Sequence, residues 1–308
     1  MLLRPLAAVA AVLVLAGCAT TTAAAPAVQT SAEAATCKGP AVPVVVSVDQ
    51  WGDITSALGG ECAQVTTILA SSSVDPHTYE PTTGDLAEFS GARLVVINGA
   101  GYDTWASKAV ATLSPTPAVV DGGAVVGVAS GANPHLWYNP SYVYRIAAAI
   151  TAALTAAQPG AAPYFEQQAA AWRTSMKAYD EQIAAIRAAA AGRTYGATEG
   201  VFDYMAAAVG LRNLTPRGWQ NAAANDSDPA PGDVLGFDNA LNSKEMSVLI
   251  YNTQTEGPLP AQVAATAVSA GVPVVEVTET VAAGSTSFLQ WQLSQLKSLA
   301  AALGVHGS

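Results

Sequence analysis

The 308-residue sequence predicts an α/β fold of two lobes, each with a short parallel sheet flanked by helices, bridged by one long rigid helix. Short β-branched runs alternate with helical segments in both halves of the chain, which is typical of parallel sheets with crossover helices. Between the halves, 162–191 has no strand signal, and as one helix it would be about 45 Å long, longer than a small domain is wide. We therefore expect an N-terminal lobe at 41–160, a linking helix at 161–192 and a C-terminal lobe at 193–305.

The N-terminus has the pattern of a bacterial lipoprotein signal. Arg4 supplies the positive charge, and 6–15 is an Ala/Val/Leu stretch too short for a permanent bilayer-spanning helix. Small residues then precede Cys18. We expect a signal peptide at 1–17, a lipid on Cys18 that anchors the protein outside the cell membrane, and a disordered tether at 18–40 rich in Ala, Thr and Pro.

In the first lobe, Gly59 and Gly60 are a helix stop signal, and Thr82 is a helix cap with Asp85 in the first turn. In the second lobe, the polar, Pro/Gly-rich segment 221–233 is predicted to be a loop. The expected strands are 42–48, 63–69, 94–97, 118–121, 194–197, 248–251 and 272–277, and the expected helices outside the central segment are 51–58, 82–89, 103–113, 202–209, 259–270 and 288–303.

Composition excludes some partners. Hydrophobic residues make up 51% of the chain, enough for a full core, and no apolar run after the leader is long enough to span a membrane. The formal net charge of −10 with only 13 Lys and Arg favours cations or neutral ligands over nucleic acid. We expect a monomer that does not bind nucleic acid.

Two cysteines remain if Cys18 carries lipid. An even remainder in an extracytoplasmic protein indicates a disulfide. Cys37 and Cys62 precede the runs 42–48 and 63–69, so if those strands are parallel neighbours both cysteines lie at the same sheet edge. We expect a Cys37–Cys62 bridge; two unpaired thiols are the alternative.

Four side chains form a candidate metal site. His77 and His135 each follow a proline in a loop of the first lobe, and Glu199 and Glu279 each come two residues after a predicted strand of the second. Ligands of parallel sheets bind outside the carboxyl ends of the strands, and imidazole with carboxylate suits a divalent transition ion. Glu256 and Asp203 compete for the acidic positions.

Nothing in the sequence indicates an enzyme. It has no Gly-rich phosphate loop with a lysine, no Gly-x-Ser-x-Gly elbow and no His-Glu-x-x-His helix. Four protein ligands would also leave less room for the open coordination position of a catalytic metal.

Four segments resemble the ligand motifs of the zinc/manganese solute-binding lipoproteins of metal ABC importers, known as cluster A-I. Residues 75–82 (Asp-Pro-His-Thr-Tyr-Glu-Pro-Thr) are similar to the first motif and 133–137 (Asn-Pro-His-Leu-Trp) to the second. Residues 198–204 resemble the third, where the family carries histidine or glutamate, and 277–281 the fourth, where aspartate is commoner.

The resemblance spans 42–303 and implies metal held between two lobes bridged by a long helix, with delivery to a membrane permease driven by a cytoplasmic ATPase. The sequence departs from the family pattern in three places. The segment 122–132 lacks the His-rich loop of many zinc members, and the third position is Glu199 and not the histidine common in zinc carriers. The fourth, Glu279, is one methylene longer than aspartate, which leaves Glu256 as an alternative fourth ligand.

The cargo expected is Mn²⁺ or Zn²⁺. Bidentate carboxylates would raise the coordination number as manganese accepts, whereas the Irving–Williams order favours zinc. Three other functions remain open: binding of an organic ligand or metal chelate, metal-dependent hydrolysis, and adhesion with a structural metal.

Overall fold

The computed structural model of the chain describes residues 36–70, 79–225, 227–255 and 257–305. Its first half contains a four-stranded sheet in the order β2-β1-β3-β4, in which every pair is parallel. The strands are β1 (Val42–Val48), β2 (Ala63–Leu69), β3 (Leu94–Ile97) and β4 (Ala118–Asp121).

The second half repeats this topology. Its four-stranded parallel sheet has the order β6-β5-β7-β8. The strands are β5 (Thr194–Ala197), β6 (Arg212–Asn213), β7 (Val248–Asn252) and β8 (Val274–Val277). In each sheet the chain adds its first strands towards one edge and its later strands towards the other edge. The point where this order switches lies between the two central strands, which are β1 and β3 in the first sheet and β5 and β7 in the second.

Helices flank both sheets, so the predicted α/β class is confirmed. The cap of the second helix is also as predicted, because the Thr82 hydroxyl accepts from the Asp85 N–H at 3.2 Å and the Asp85 carboxylate accepts from the Thr82 N–H at 2.7 Å. The helices are α1 (Asp49–Gly59), α2 (Thr83–Glu88), α3 (Thr104–Ala111), α4 (Gly122–Val126), α5 (Pro140–Ala157), α6 (Ala162–Ser175), α7 (Lys177–Ala190), α8 (Asp203–Ala208), α9 (Arg217–Ala223), α10 (Pro231–Asn242), α11 (Pro258–Ala270) and α12 (Phe288–Ala302).

The segment expected as one linking helix consists of α6 and α7, which meet at Met176. The Met176 N–H donates to the Trp172 carbonyl at 3.1 Å, and the Asp180 N–H donates to the Met176 carbonyl at 3.1 Å, so i to i−4 bonding continues through the junction. The Met176 side chain is fully buried. Since α6 packs on α1 and α5 while α7 packs on α12, the two-helix segment reaches from the first lobe to the second.

The loop expected at 221–233 is shorter than predicted, because α9 and α10 enter it from both sides. Trp219 on α9 and Phe237 on α10 are buried with their rings 5.1 Å apart. Pro231 occupies the first turn of α10, where a missing N–H costs no helical hydrogen bond. Burial of these apolar side chains outweighs the polar, Pro/Gly-rich composition from which the loop was predicted.

The largest apolar cluster contains residues of both sheets. Strand residues of the first sheet, such as Val44, share it with strand residues of the second, such as Ile250. Buried aromatic rings join the two halves, since Tyr138 lies 5.0 Å from Phe202 and 5.7 Å from Trp291 between ring centroids. A shared core of this kind fixes the placement of one lobe on the other.

The cysteines at the edge of the first sheet are bonded. The Cys37 and Cys62 sulfurs are 2.09 Å apart, with the Cα atoms separated by 5.4 Å. The Lys38 carbonyl accepts from Gln158 Nε2 at 2.5 Å. Residues 36–40, expected as the end of a disordered tether, are therefore fixed to the first lobe. Cys18 and the leader lie outside the described residues.

Among the described helices, none combines the length and apolar character needed to cross a bilayer.

Candidate metal centre

Three side chains from distant parts of the sequence meet in one group. His135, Glu199 and Glu279 each place a potential ligand atom within 4.8 Å of the others. His135 and Glu279 are buried and Glu199 is partly buried. The described residues therefore contain a nitrogen–oxygen donor set that is largely shielded from water.

The sheet topology explains why these side chains converge. Glu199 comes two residues after β5, Glu279 two residues after β8, and β7, which ends at Asn252, lies between those strands. The central strands are β5 and β7, and the loops that follow their carboxyl ends leave towards opposite faces of the sheet, so that a crevice for ligands lies between them. The first lobe contributes His135 from the loop before α5.

Hydrogen bonds fix the orientation and tautomer of His135. Asn133 Nδ2 donates to the Gly200 carbonyl at 2.6 Å, so Asn133 Oδ1 is the acceptor that lies 2.7 Å from His135 Nδ1. The Nδ1 atom therefore donates to Asn133 and Nε2 faces the site, which is the orientation that a metal-binding histidine requires. Asn98 Nδ2 also holds the preceding Pro134 carbonyl at 2.9 Å.

Glu279 is held through its main chain and its side chain. Its carbonyl accepts from Gln50 Nε2 at 2.5 Å, and its N–H donates to Gln254 Oε1 at 2.7 Å. Its Oε1 accepts from Asn252 Nδ2 at 3.0 Å, and its Oε2 accepts from the Tyr102 hydroxyl at 3.2 Å. Oε2 also lies 3.6 Å from His135 Nε2 and therefore faces the imidazole.

Glu199 lies in a more polar setting. Its Oε2 accepts from the Thr255 hydroxyl at 2.6 Å and from Asn252 Nδ2 at 2.8 Å. Burial raises the pKa of the Glu199 carboxyl, and the neighbouring Glu279 charge raises it further. Two carboxylates brought this close in a low-dielectric site favour a cation between them.

Aromatic rings close the site on the first-lobe side. The Trp137 ring lies 5.4 Å from the His135 ring and 5.0 Å from the Tyr102 ring between centroids. Burial raises the pKa of Tyr102 far above its ordinary value, so its hydroxyl keeps the proton that it donates to Glu279.

The predicted ligands are accounted for as follows. His135, Glu199 and Glu279 come together, whereas His77 and the alternative Glu256 lie outside the described residues. Asp203, the other competitor, is not part of the group, and its Oδ1 accepts from the Tyr195 hydroxyl at 2.7 Å.

Sequence reasoning missed the polar residues that hold the ligands. Asn133 lies in the same Asn-Pro-His motif as His135, and its amide two residues earlier was an available signal. Asn252 ends β7, one residue beyond the predicted strand 248–251, and no spacing connects it to Glu199 and Glu279. Gln50 and Tyr102 carry no recognisable signal.

A cavity of about 480 Å³ adjoins the ligands and is open to solvent. Both lobes line it, with Tyr102 and His135 on one side and Glu199, Asp203 and Trp219 on the other. Among the described residues that line it, none is a lysine or an arginine. The carboxyl groups of Glu199 and Asp203 in this wall favour the approach of cations.

The known proteins that match this chain are metal-binding or metal-uptake proteins of one family. The sequence profile of the zinc-uptake complex component A periplasmic proteins, ZnuA, matches residues 44–302. The manganese-binding lipoprotein MntA of Halalkalibacterium halodurans is 26% identical over 149 residues, which are 47% of this chain and 49% of that protein. The high-affinity zinc uptake system protein ZnuA of Bacillus subtilis is 22% identical over 203 residues, or 60% and 62% of the two chains. The chain thus spans about half to three-fifths of the length of these relatives.

Solved structures share the fold. The Mn-bound periplasmic metal binding protein from Candidatus Liberibacter asiaticus has a TM-score of 0.70 at 19% identity, covering 85% of this chain and 99% of that one. A crystal structure of ZnuA has a TM-score of 0.67 at 20% identity, with coverages of 86% and 98%.

Proposed function

The chain belongs to the family of zinc-uptake complex component A periplasmic proteins, and we propose that it captures Mn²⁺ or Zn²⁺ between its lobes and delivers the ion to an ABC importer. The observation that carries this proposal is the convergence of His135, Glu199 and Glu279 within 4.8 Å. The family consists of transport components and not of enzymes.

His77 completes the ligand set in this proposal. Two imidazoles and two carboxylates form a mixed donor set that suits a first-row divalent ion. The cavity beside His135 and Glu199 offers the ion a route from solvent, and its acidic wall favours cation entry.

The lipoprotein-type N-terminus supports a location for this function. A lipid on Cys18 would keep the protein at the outer face of the cell membrane, beside a permease that is driven by a cytoplasmic ATPase. The protein would act as a monomer, with the tether giving the metal-binding domain its reach.

Titration of the metal-free protein with buffered Mn²⁺ and Zn²⁺ tests the proposal. We expect saturable binding of one ion per chain, strongly weakened in Glu199→Gln and unchanged in Glu166→Gln, whose side chain is exposed on α6. Undetectable binding of both ions by the unsubstituted protein would reject the function.

A second candidate is the binding of an organic ligand or metal chelate. The cavity of about 480 Å³ favours it, because a bare ion needs far less space. Thermal melts separate the two functions: the ion alone raises the melting temperature of an ion-binding protein, whereas a chelate-binding protein needs the chelator as well.

A further inference from the structure

Asn252 contacts both carboxylates of the candidate centre. It is the last residue of β7 and is buried, with 1% of its surface exposed. Its Nδ2 lies 2.8 Å from Glu199 Oε2 and 3.0 Å from Glu279 Oε1. One side-chain nitrogen thus joins the two acidic groups.

The orientation of this amide is fixed by its neighbours. Asn252 Oδ1 accepts from the Gln254 N–H at 3.1 Å, and the Asn252 N–H donates to Thr198 Oγ1 at 3.1 Å. Since a main-chain N–H can only donate, the oxygen of the amide must face Gln254 and the NH₂ group must face the carboxylates. Each of its two N–H bonds then serves a different glutamate.

Asn252 therefore engages one oxygen of each carboxylate. On Glu199 this is Oε2, which also accepts from the Thr255 hydroxyl at 2.6 Å. On Glu279 it is Oε1, whereas the other oxygen, Oε2, accepts from the Tyr102 hydroxyl at 3.2 Å and lies 3.6 Å from His135 Nε2. The oxygens that Asn252 does not engage are Oε1 of Glu199 and Oε2 of Glu279.

The number of carboxylate oxygens offered to an ion affects which ion is preferred. A glutamate that binds through one oxygen adds one to the coordination number, and a bidentate glutamate adds two. Zinc is usually four-coordinate in proteins, whereas manganese accepts six ligands in oxygen-rich sites. A constraint on the second oxygen of each glutamate thus acts against manganese.

We propose that Asn252 is a specificity-determining residue, whose amide restrains Glu199 and Glu279 to one oxygen each and so lowers the affinity for Mn²⁺ relative to Zn²⁺. This inference rests on the proposed function and concerns the same site. It assigns selectivity to a side chain that is not itself a ligand.

Asn252→Leu tests the proposal, because leucine has the same branching at Cγ as asparagine and no hydrogen-bond donor. The Zn²⁺ and Mn²⁺ affinities of the metal-free protein are measured by competition with a chelator of known affinity, and Co²⁺ absorption reports the coordination number. We expect the ratio of zinc to manganese affinity to fall about 10-fold, as for other outer-sphere substitutions. The Co²⁺ bands should change from the intense four-coordinate type to the weaker type of higher coordination.

Two further variants sharpen the result. Thr255→Val keeps the shape of the side chain and removes one donor from Glu199 alone, so it should shift the ratio in the same direction by a smaller factor. It keeps the proposal testable if Asn252→Leu does not fold. Asn239→Ala, on the exposed face of α10, should change neither the ratio nor the spectrum.

An unchanged affinity ratio together with an unchanged Co²⁺ spectrum in folded Asn252→Leu would overturn the inference. A lower melting temperature would not rescue it, because loss of a purely structural contact lowers the melting temperature and leaves the affinity ratio and the spectrum unchanged. That outcome leaves the proposed function intact as long as the unsubstituted protein binds metal. Absence of metal binding by the unsubstituted protein overturns both.

Discussion

At the residue scale, Glu279 is fixed in place before any ion arrives. Gln50 and Gln254 hold its main chain, and Asn252 and Tyr102 hold its carboxylate. Side chains locked in this way lose little entropy when an ion binds, which favours affinity. The extra methylene of glutamate relative to aspartate is accommodated by these contacts.

Glu279 should therefore be the fourth ligand in preference to Glu256. We expect Glu279→Gln, which is isosteric and neutral, to weaken metal binding at least about 10-fold, since ligand loss exceeds the usual effect of an outer-sphere change. Isothermal titration with Mn²⁺ and Zn²⁺ measures this effect. Glu256→Gln is the matched comparison; a larger loss of affinity in that variant would reassign the ligand.

At the element scale, helix α1 connects the first lobe to the segment that follows Glu279. The Asp49 carboxylate accepts from the Val281 N–H at 3.2 Å, and the Asp53 carboxylate accepts from the Phe288 N–H at 2.7 Å. Together with the Gln50 contact, these bonds attach three side chains from about one and a half turns of the helix to the second lobe. The helix thus aligns the strand end that carries Glu279.

The Cys37–Cys62 disulfide is a second stabilising feature at the element scale. It closes a loop with a sequence separation of 25 residues at the edge of the first sheet, remote in sequence from the ligands. A chain-entropy estimate for a loop of this length gives about 3.5 kcal/mol of stabilisation. We expect Cys37→Ser with Cys62→Ser to lower the free energy of unfolding by about this amount in denaturant titrations.

Metal affinity should remain within about threefold in that double variant, because the Cys37–Cys62 bond does not hold a ligand. Cys18→Ser serves as the control, and we expect it to leave the unfolding free energy unchanged. Loss of metal binding in the folded double variant would instead show that the sheet edge positions the centre.

At the scale of the whole molecule, the buried carboxyl groups give stability and metal binding opposite pH dependences. Burial raises the pKa of Asp49 to about 7 and also raises the pKa values of Asp53, Asp103, Glu199 and Asp203. The folded metal-free protein therefore binds more protons than the unfolded chain between about pH 4 and 7. Its free energy of unfolding must fall as the pH rises through this window.

We expect thermal melts of the metal-free protein to show a higher melting temperature at pH 5 than at pH 7.5. Each such group contributes a slope of at most about 1.4 kcal/mol per pH unit. Asp49→Asn should flatten the profile between pH 5 and 7. Metal affinity should change in the opposite direction, falling with acidification because the ligands must lose protons to bind. A metal-free protein that gains stability from pH 5 to 7 would contradict this account.

The lobes should move little when metal binds. They share one apolar core, and helical bonding continues from α6 into α7 across Met176. We expect the radius of gyration from X-ray scattering to change by less than about 1 Å on metal addition, as in other preorganised sites. A collapse of several ångströms would indicate hinge closure and a more open metal-free state.

Local patterns in the sequence were sufficient for most of the fold. Runs such as 42–48 and 63–69 are β-branched and bounded by stop signals, so their strand bounds follow from interactions between near neighbours. The Thr82 cap is decided within four residues for the same reason. The Asn-Pro-His motif marked His135 in the same local way, and the two cysteines before neighbouring strands marked the disulfide.

Tertiary structure decided what depends on distant residues. The helices around 221–233 form because Trp219 and Phe237 are buried together, which composition cannot reveal. The roles of Asn252 towards Glu199 and Glu279, and of Asn133 towards Gly200, depend on contacts between residues 27 to 67 positions apart. A hydrogen bond is set by distance and angle in space, so only the folded chain determines which amide holds which ligand.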